Sequence, residues 1–261
     1  WLPSIQNESL TKPGTVNYIC QFVPNDQEKY IKVTQPIPIR VEREEMRISW
    51  PTASSIVYGE RVCDSRLRGG YSNIPGDFEW DSNSLYEQPS AGTASYRVVF
   101  SPNDNNYRAE SRLINITVNK APVQIISNPS ATSIVYGQSL SNSTLSGFSA
   151  NVDGQLKWSN PKITPNAGDY YADAVFTPYN QNYESTTIRV RVVVKKSTPV
   201  LFNTYYSANY RANIHAMNFG LPRGWRWENP YFKFNRAGEF RLIAIFDEDS
   251  NHFRCEREVL I

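Results

Sequence analysis

Pro51-Thr52-Ala53-Ser54-Ser55-Ile56-Val57-Tyr58-Gly59 returns 78 residues later as Pro129-Ser130-Ala131-Thr132-Ser133-Ile134-Val135-Tyr136-Gly137. The same offset, without a gap, pairs Leu67 with Leu145, Gly69 with Gly147, Asn73 with Asn151, Gly76 with Gly154 and Trp80 with Trp158. A register held that long marks a repeated structural unit rather than chance.

Working outward, the second half of the unit recurs four times. Trp1, Trp80, Trp158 and Trp227 each open a stretch that reaches a glycine, at Gly14, Gly92, Gly168 and Gly238. Eight residues after each glycine stands a phenylalanine: Phe22, Phe100, Phe176 and Phe246. A polar turn and a further aromatic follow, at Tyr30, Tyr107, Tyr183 and Phe253. The chain therefore reads as a half unit over 1–47, full units over 48–123 and 124–198, and a divergent unit over 199–261. The divergent unit has a shortened first half, Asn203 to Arg223, and lacks the Ile-Val-Tyr-Gly string.

The segments after the glycines alternate with period two. Val16, Tyr18, Cys20 and Phe22 share one face of a strand, as do Ala94, Tyr96, Val98 and Phe100. Tyr170, Ala172, Ala174 and Phe176 repeat the pattern, and so do Phe240, Leu242, Ala244 and Phe246. Such alternation predicts a strand with one buried face. The next segments, Ile114-Ile116-Val118 and Ile188-Val190-Val192-Val194, alternate too, and the Asn/Asp turns between them predict hairpins. About seven short strands in 75 residues predict an all-β fold of tandem immunoglobulin-like β-sandwich domains. Trp80, Trp158 and Trp227 are expected to fill the cores, with Trp225 beside them. The joins at Lys120-Ala121-Pro122 and Lys195-Lys196-Ser197-Thr198-Pro199 contain no Gly/Ser linker. Short proline-containing joins restrict rotation, so an extended rod is expected.

Composition narrows the function. The net charge is +2, and basic and acidic residues alternate, as in Glu42-Arg43-Glu44-Glu45. Nucleic-acid binding, which needs a one-sided basic face, is not expected. No apolar run approaches the length of a membrane-spanning helix, so membrane insertion is not expected. Cys20, Cys63 and Cys255 fit neither a disulfide scaffold nor a zinc site.

Catalytic chemistry has no visible carrier. His215 and His252 have no nucleophile or carboxylate at a catalytic motif spacing, and no phosphate-cradling glycine loop is present. His252 reads as a surface turn residue before the closing aromatic. Asp247-Glu248-Asp249 offers clustered oxygens for calcium, but its counterparts are ordinary hairpin turns. Neither an enzyme, nor a metal site, nor a cofactor is expected. Cys20 sits on an inward strand face two residues after Tyr18; it reads as a buried thiol or as the donor of an interchain disulfide. Asn7, Asn115 and Asn142 begin Asn-x-Ser/Thr glycosylation triplets. Tyr205, Tyr206, Tyr210 and Tyr231 exceed what the repeat core requires and are candidates for a ligand or partner surface, as is Trp50.

The string Ser133-Ile134-Val135-Tyr136-Gly137-Gln138-Ser139-Leu140-Ser141, the Gly-x-Leu-x-Trp of 154–158, Pro165-Asn166-Ala167-Gly168 and Phe176-Thr177-Pro178 resemble the tandem immunoglobulin-like (MBG-type) repeats of large bacterial cell-surface proteins. The resemblance covers most of the chain and is strongest over 124–198. It implies an extracellular or cell-surface position, a role as stalk or adhesin, and no catalytic residues. Two functions follow as expectations. One is a structural repeat segment of a fibre, stalk or surface assembly. The other is an adhesin module that binds carbohydrate or protein through the aromatic-rich last domain. Because Trp1 falls in the middle of a repeat, the first unit is expected to be completed by more chain or by strands of a neighbouring protein.

Overall fold

The computed structural model describes residues 13–211 and 213–261; Trp1 and the Asn7 triplet lie outside them. The chain divides into two units, Trp1–Ala121 and Pro122–Ile261.

In the first unit, β1 (Gly14–Phe22) and β2 (Val33–Val41) form an antiparallel hairpin in which Gly14 faces Val41 and Phe22 faces Val33. Of the four residues expected on its inner face, Tyr18 is buried and Cys20 is half-buried, while Val16 and Phe22 are exposed. The full module follows with β3 (Ile48–Ser49), β4 (Thr52–Ala53), β5 (Ile56–Val57), β6 (Leu67–Arg68), β7 (Tyr71–Ser72), β8 (Gly76–Trp80), β9 (Gly92–Pro102) and β10 (Glu110–Asn119). One layer is a sheet in the order β5-β10-β9-β8, with β5 parallel to β10. The other layer is the pair of short ladders β3-β7 and β4-β6. Eight strands appear where seven were expected, because Pro51, lacking an N–H, separates β3 from β4. Between the layers lie Ile56, Val62, Trp80, Val98, Ile116 and Val118, joined by Trp50, Ala53 and Leu67.

The second unit opens on the same plan. Its strands are β11 (Ile125–Ser127), β12 (Ser130–Ala131), β13 (Ile134–Val135), β14 (Leu145–Ser146), β15 (Ser149–Ala150), β16 (Gly154–Trp158), β17 (Gly168–Pro178) and β18 (Thr186–Lys195). Sheet β13-β18-β17-β16 faces ladders β11-β15 and β12-β14 over a core that includes Ile134, Leu140, Trp158, Ala174, Phe176 and Val192. The tryptophans hold their expected place and do more than fill space. Trp80 Nε1–H donates to the Ser65 carbonyl and Trp158 Nε1–H to the Ser143 carbonyl, each at 2.8 Å. Each acceptor directly follows a 3-10 turn, at Val62–Asp64 and Leu140–Asn142. The indole thus satisfies a carbonyl in the turn that crosses between the layers.

The last module keeps the half with β19 (Trp225–Trp227), β20 (Arg241–Phe246) and β21 (Cys255–Leu260) in one three-stranded sheet. Its 3-10 turn is Ala216–Asn218, and Trp227 Nε1–H donates to the Phe219 carbonyl just after it. No second-layer ladder is found among its described residues. Aromatic rings take that place: Phe202 stands edge-on to Trp225 at 4.9 Å, and Phe232, Phe234 and Phe240 contact one another.

Candidate binding site

The last module lacks the Ile-Val-Tyr-Gly string but keeps the turn that the glycine of that string makes. In the two full modules the glycine of that string has positive φ, 100° at Gly59 and 91° at Gly137. Two residues later comes the residue that starts the 3-10 turn, Arg61 or Ser139. In the last module Asn213 has φ 71° and stands two residues before His215, which starts the turn. The hydrogen bonds agree: Glu60 N–H donates to Val57 O, Gln138 N–H to Val135 O and Ile214 N–H to Arg211 O. Asparagine tolerates the left-handed region better than other residues with a side chain, so the turn survives while the string does not. Tyr210 therefore occupies the position of Ile56 and Ile134. Those isoleucines are 2% exposed, whereas Tyr210 is 50% exposed.

A cleft of about 180 Å³ opens beside Tyr210. Its walls are the loop 205–210 on one side and 236–240 on the other, with Ile214, Phe219, Phe234 and Ile261 between them. Tyr210 Oη–H donates to the Asn235 carbonyl and Tyr206 Oη–H to the Gly220 carbonyl, which fixes both rings. Tyr206 also packs on the module core. Tyr205 lies exposed on the rim, and its neighbours clasp the last strand: Leu260 N–H donates to Thr204 O, and Tyr206 N–H to Leu260 O. Tyr231 is exposed but does not line this cleft. Trp50, far away in sequence, is half-buried and meets Phe78 edge-on at 5.8 Å, so its ring belongs to the core of its own module.

The turn 247–253 is a second place where side chains converge. Asp249 Oδ1 accepts the N–H groups of Asn251 and His252, just as Asp104 Oδ1 accepts that of Asn106 and Asn180 Oδ1 that of Asn182. This bonding sets Asn251, not His252, at the position of Asn106; the last module's turn is one residue shorter. His252 is therefore no bare surface residue. Its ring stands edge-on to Tyr136 at 5.1 Å and to Phe246 at 5.4 Å. Asn251 Oδ1 accepts from Ala167 N–H at 2.9 Å, and Ser197 N–H donates to Asn251 O. Lys196 Nζ–H donates to Glu248 Oε1 and to the Asp249 carbonyl. The turn of the last module is thereby clamped to the module before it.

The clamp also disposes of the acidic run as a group of free ligands. Asp247 pairs with Arg226, Glu248 with Lys196, and Asp249 with the turn amides and His252. The Arg226 hydrogen bonds hold the Asp247 carboxyl below its ordinary value. The hydrogen bond to His252, with the amides of Asn251 and His252, lowers Asp249 in the same way. No group of three or more metal-ligating side chains occurs among the described residues.

Asn115 points outward opposite Ser95, whose Oγ–H donates to Asn115 Oδ1, and Asn142 is exposed at the end of its 3-10 turn. Cys20, Cys63 and Cys255 are free thiols. One residue escaped sequence reasoning altogether. Arg257 lies on the inward face of β21 opposite Ala244, where Ile188 stands opposite Ala174, and its buried Nε has no hydrogen-bond partner among the described residues. The inward alternation of Cys255 and Val259 was the available signal.

Neither a family model nor a curated protein sequence matches the chain. Among solved structures, repeats 22–24 of mouse cadherin-23 are similar at 10% identity over 84% of this chain and 98% of theirs, with a TM-score of 0.26. The human desmocollin-1 ectodomain is similar at 9% identity over 90% of this chain and 68% of that one, with a TM-score of 0.23. An endo-fucoidan hydrolase of glycoside hydrolase family 107 aligns at 13% identity over 70% of this chain and 34% of its own, with a TM-score of 0.20. Similarity at this level transfers no activity, ligand or partner, and the architecture rests on this chain's own strand pairing.

Proposed function

We propose that this chain is a non-enzymatic structural repeat segment of an extracellular fibre, stalk or surface assembly, with its modules in an extended rod. The observation that carries this reading is the clamp between the last two modules. Asn251, Lys196 and Ser197 tie a hairpin turn directly to the preceding module, with no flexible linker between them. Repeats joined in this manner transmit load and hold a fixed spacing, which suits a scaffold. The reading extends to the MBG-type resemblance and to a cell-surface location, on the strings that carry that resemblance. The proposal includes a protein partner, for which the exposed Phe22, Val33 and Ile37 of the β1-β2 hairpin offer an apolar contact. Small-angle scattering tests the rod. A compact particle of this length has a radius of gyration of about 18 Å. A value well above that is expected, and a value near it would overturn the reading.

A second reading, an adhesin that binds carbohydrate or protein, is favoured by Tyr205 and Tyr210 on the rim of the last module's cleft. A glycan array probed with the intact chain tests its carbohydrate form: binding that Tyr210→Ala abolishes supports it, and no binding counts against it.

A further inference from the structure

The four-stranded sheets of the two full modules each end on a strand that pairs on one side only, β8 with β9 and β16 with β17. The register fixes which backbone groups are spent. Asp81 N–H donates to Arg97 O and Ser159 N–H to Asp173 O, so along these ladders the amides of Asp77, Glu79, Gln155 and Lys157 turn towards the neighbouring strand. Those of Gly76, Phe78, Trp80, Gly154, Leu156 and Trp158 turn outwards, and no backbone partner for them is found among the described residues. Neither strand contains a proline. Beside β16 the edge of the sandwich stands open in a groove of about 380 Å³ lined by Thr144, Leu145, Leu156 and Trp158.

The two edges carry opposite charge. β8 presents Asp77 and Glu79, and β16 presents Gln155 and Lys157 at the same positions; all four are exposed. Asp77, Glu79 and Lys157 take part in no ion pair among the described residues. In the last module the position of Lys157 belongs to Arg226, whose guanidinium is already held by Asp247. Charge on an edge strand commonly serves to prevent pairing with another edge. Here it opposes only the pairing of like with like. Two β8 strands centred on Phe78 would set Asp77 opposite Glu79 twice. Pairing β8 with β16 does the reverse. With Phe78 opposite Leu156, Asp77 lies opposite Lys157 and Glu79 opposite Gln155, at the pairs where cross-strand side chains approach most closely. The inward residues Phe78, Trp80, Leu156 and Trp158 then share one face, so the two sheets join as one.

We infer that β8 of one chain pairs antiparallel with β16 of a second copy of this chain, with Asp77 opposite Lys157. Main-chain hydrogen bonds between Phe78 and Leu156 and at the flanking outward residues supply affinity, and the Asp77–Lys157 pair sets partner and register. Each copy offers both edges, so the contact is heterologous and propagates from copy to copy. The inference rests on the surface-assembly reading for a setting that holds copies close together, and it names the partner. The two fail separately. A rod that stays monomeric overturns the pairing alone, and compact particles that associate through these edges overturn the rod alone.

Sedimentation of the intact chain at submillimolar concentration is expected to show reversible self-association that weakens as salt is added. With association, exchange at the Phe78 and Leu156 amides is expected to slow by about tenfold, while the Glu79 and Lys157 amides, already bonded within their own sheets, keep their rates. Asp77→Lys and Lys157→Glu change exposed side chains, and each is expected to weaken association by about tenfold. Mixing the two variants, or combining both changes in one chain, is expected to restore association to within about threefold of the parent, because opposite charges face each other again. A chain that stays monomeric, association without protection at Phe78 and Leu156, single variants that associate as the parent does, or a mixture that restores nothing overturns the inference.

Discussion

Two residues carry the sharpest tests at the smallest scale. Gly154 opens β16, and a Cβ built there would lie 2.5 Å from both Phe176 Cζ and Thr177 O; Gly76 meets Phe100 and the Ser101 carbonyl in the same way. Gly154→Ala is therefore expected to destabilise its module by about 1–3 kcal/mol, through overpacking rather than backbone strain. A denaturation midpoint unchanged from the parent would refute that account. Gly168 presents the opposite case, with φ 121° and open space around its missing Cβ, so a substitution there acts through conformation alone. Arg257 invites the reverse experiment. Its position belongs to Ile188 one module earlier, and its Nε is buried without a partner among the described residues. Arg257→Ile is expected to stabilise the last module by roughly 1–3 kcal/mol, since an aliphatic side chain that packs in the core replaces an unsatisfied buried donor. Chemical denaturation that shows loss of stability would mean the guanidinium is satisfied elsewhere. The glycines and tryptophans were legible in the sequence because they recur in register. Arg257 was not, since Arg112 also faces the β9 strand at the same register and exposed arginines are common.

At the scale of elements, the turn 247–253 decides how two modules are joined. Asn251→Ala removes the acceptor for Ala167 N–H, a bond of about 0.5–1.5 kcal/mol. Exchange at the Ala167 amide is expected to quicken by several-fold while the Trp158 core amides stay protected; equal rates in variant and parent would remove Asn251 from the joint. The same turn has a pH dependence whose sign is fixed. The hydrogen bond with His252 and the turn amides lower Asp249 in the folded state. Its contribution is thus complete above the ordinary Asp value of about 3.9 and fades as pH falls through the lower folded value. The amide resonances of Asn251 and His252 are expected to shift together in that acidic window, and a transition above it would contradict the assignment. Sequence periodicity predicted the hairpin itself. It misplaced His252 by one position, because a deletion inside a polar turn leaves no mark on hydrophobic alternation, and only the Asx hydrogen bonds reveal the correct equivalence.

Across the whole molecule, stability is expected to be uneven, and the reason lies in what each module has to bury. The two full modules enclose their cores between a four-stranded sheet and two short ladders. The last has a three-stranded sheet, with rings of Phe202, Phe232, Phe234 and Phe240 in place of ladders and an open cleft beside them. The four-fold recurrence of glycine and phenylalanine made the tandem plan readable from sequence, and alternation made the strands readable. The cleft was not readable, because its walls are the irregular segments 205–210 and 236–240, which carry no periodicity. In a chain of coupled repeats, stability is close to a sum of module terms and joint terms. The last module, weaker in its own term, leans on the clamp formed by Asn251, Lys196 and Ser197. Native-state amide exchange should accordingly show 199–261 opening at a lower free energy than 124–198. Combining Lys196→Ala with Asn251→Ala should widen that gap while leaving 48–121 as it was. Identical opening energies for the last two modules, before and after these substitutions, would show that they fold as one cooperative body and that the joint is not where their stabilities part.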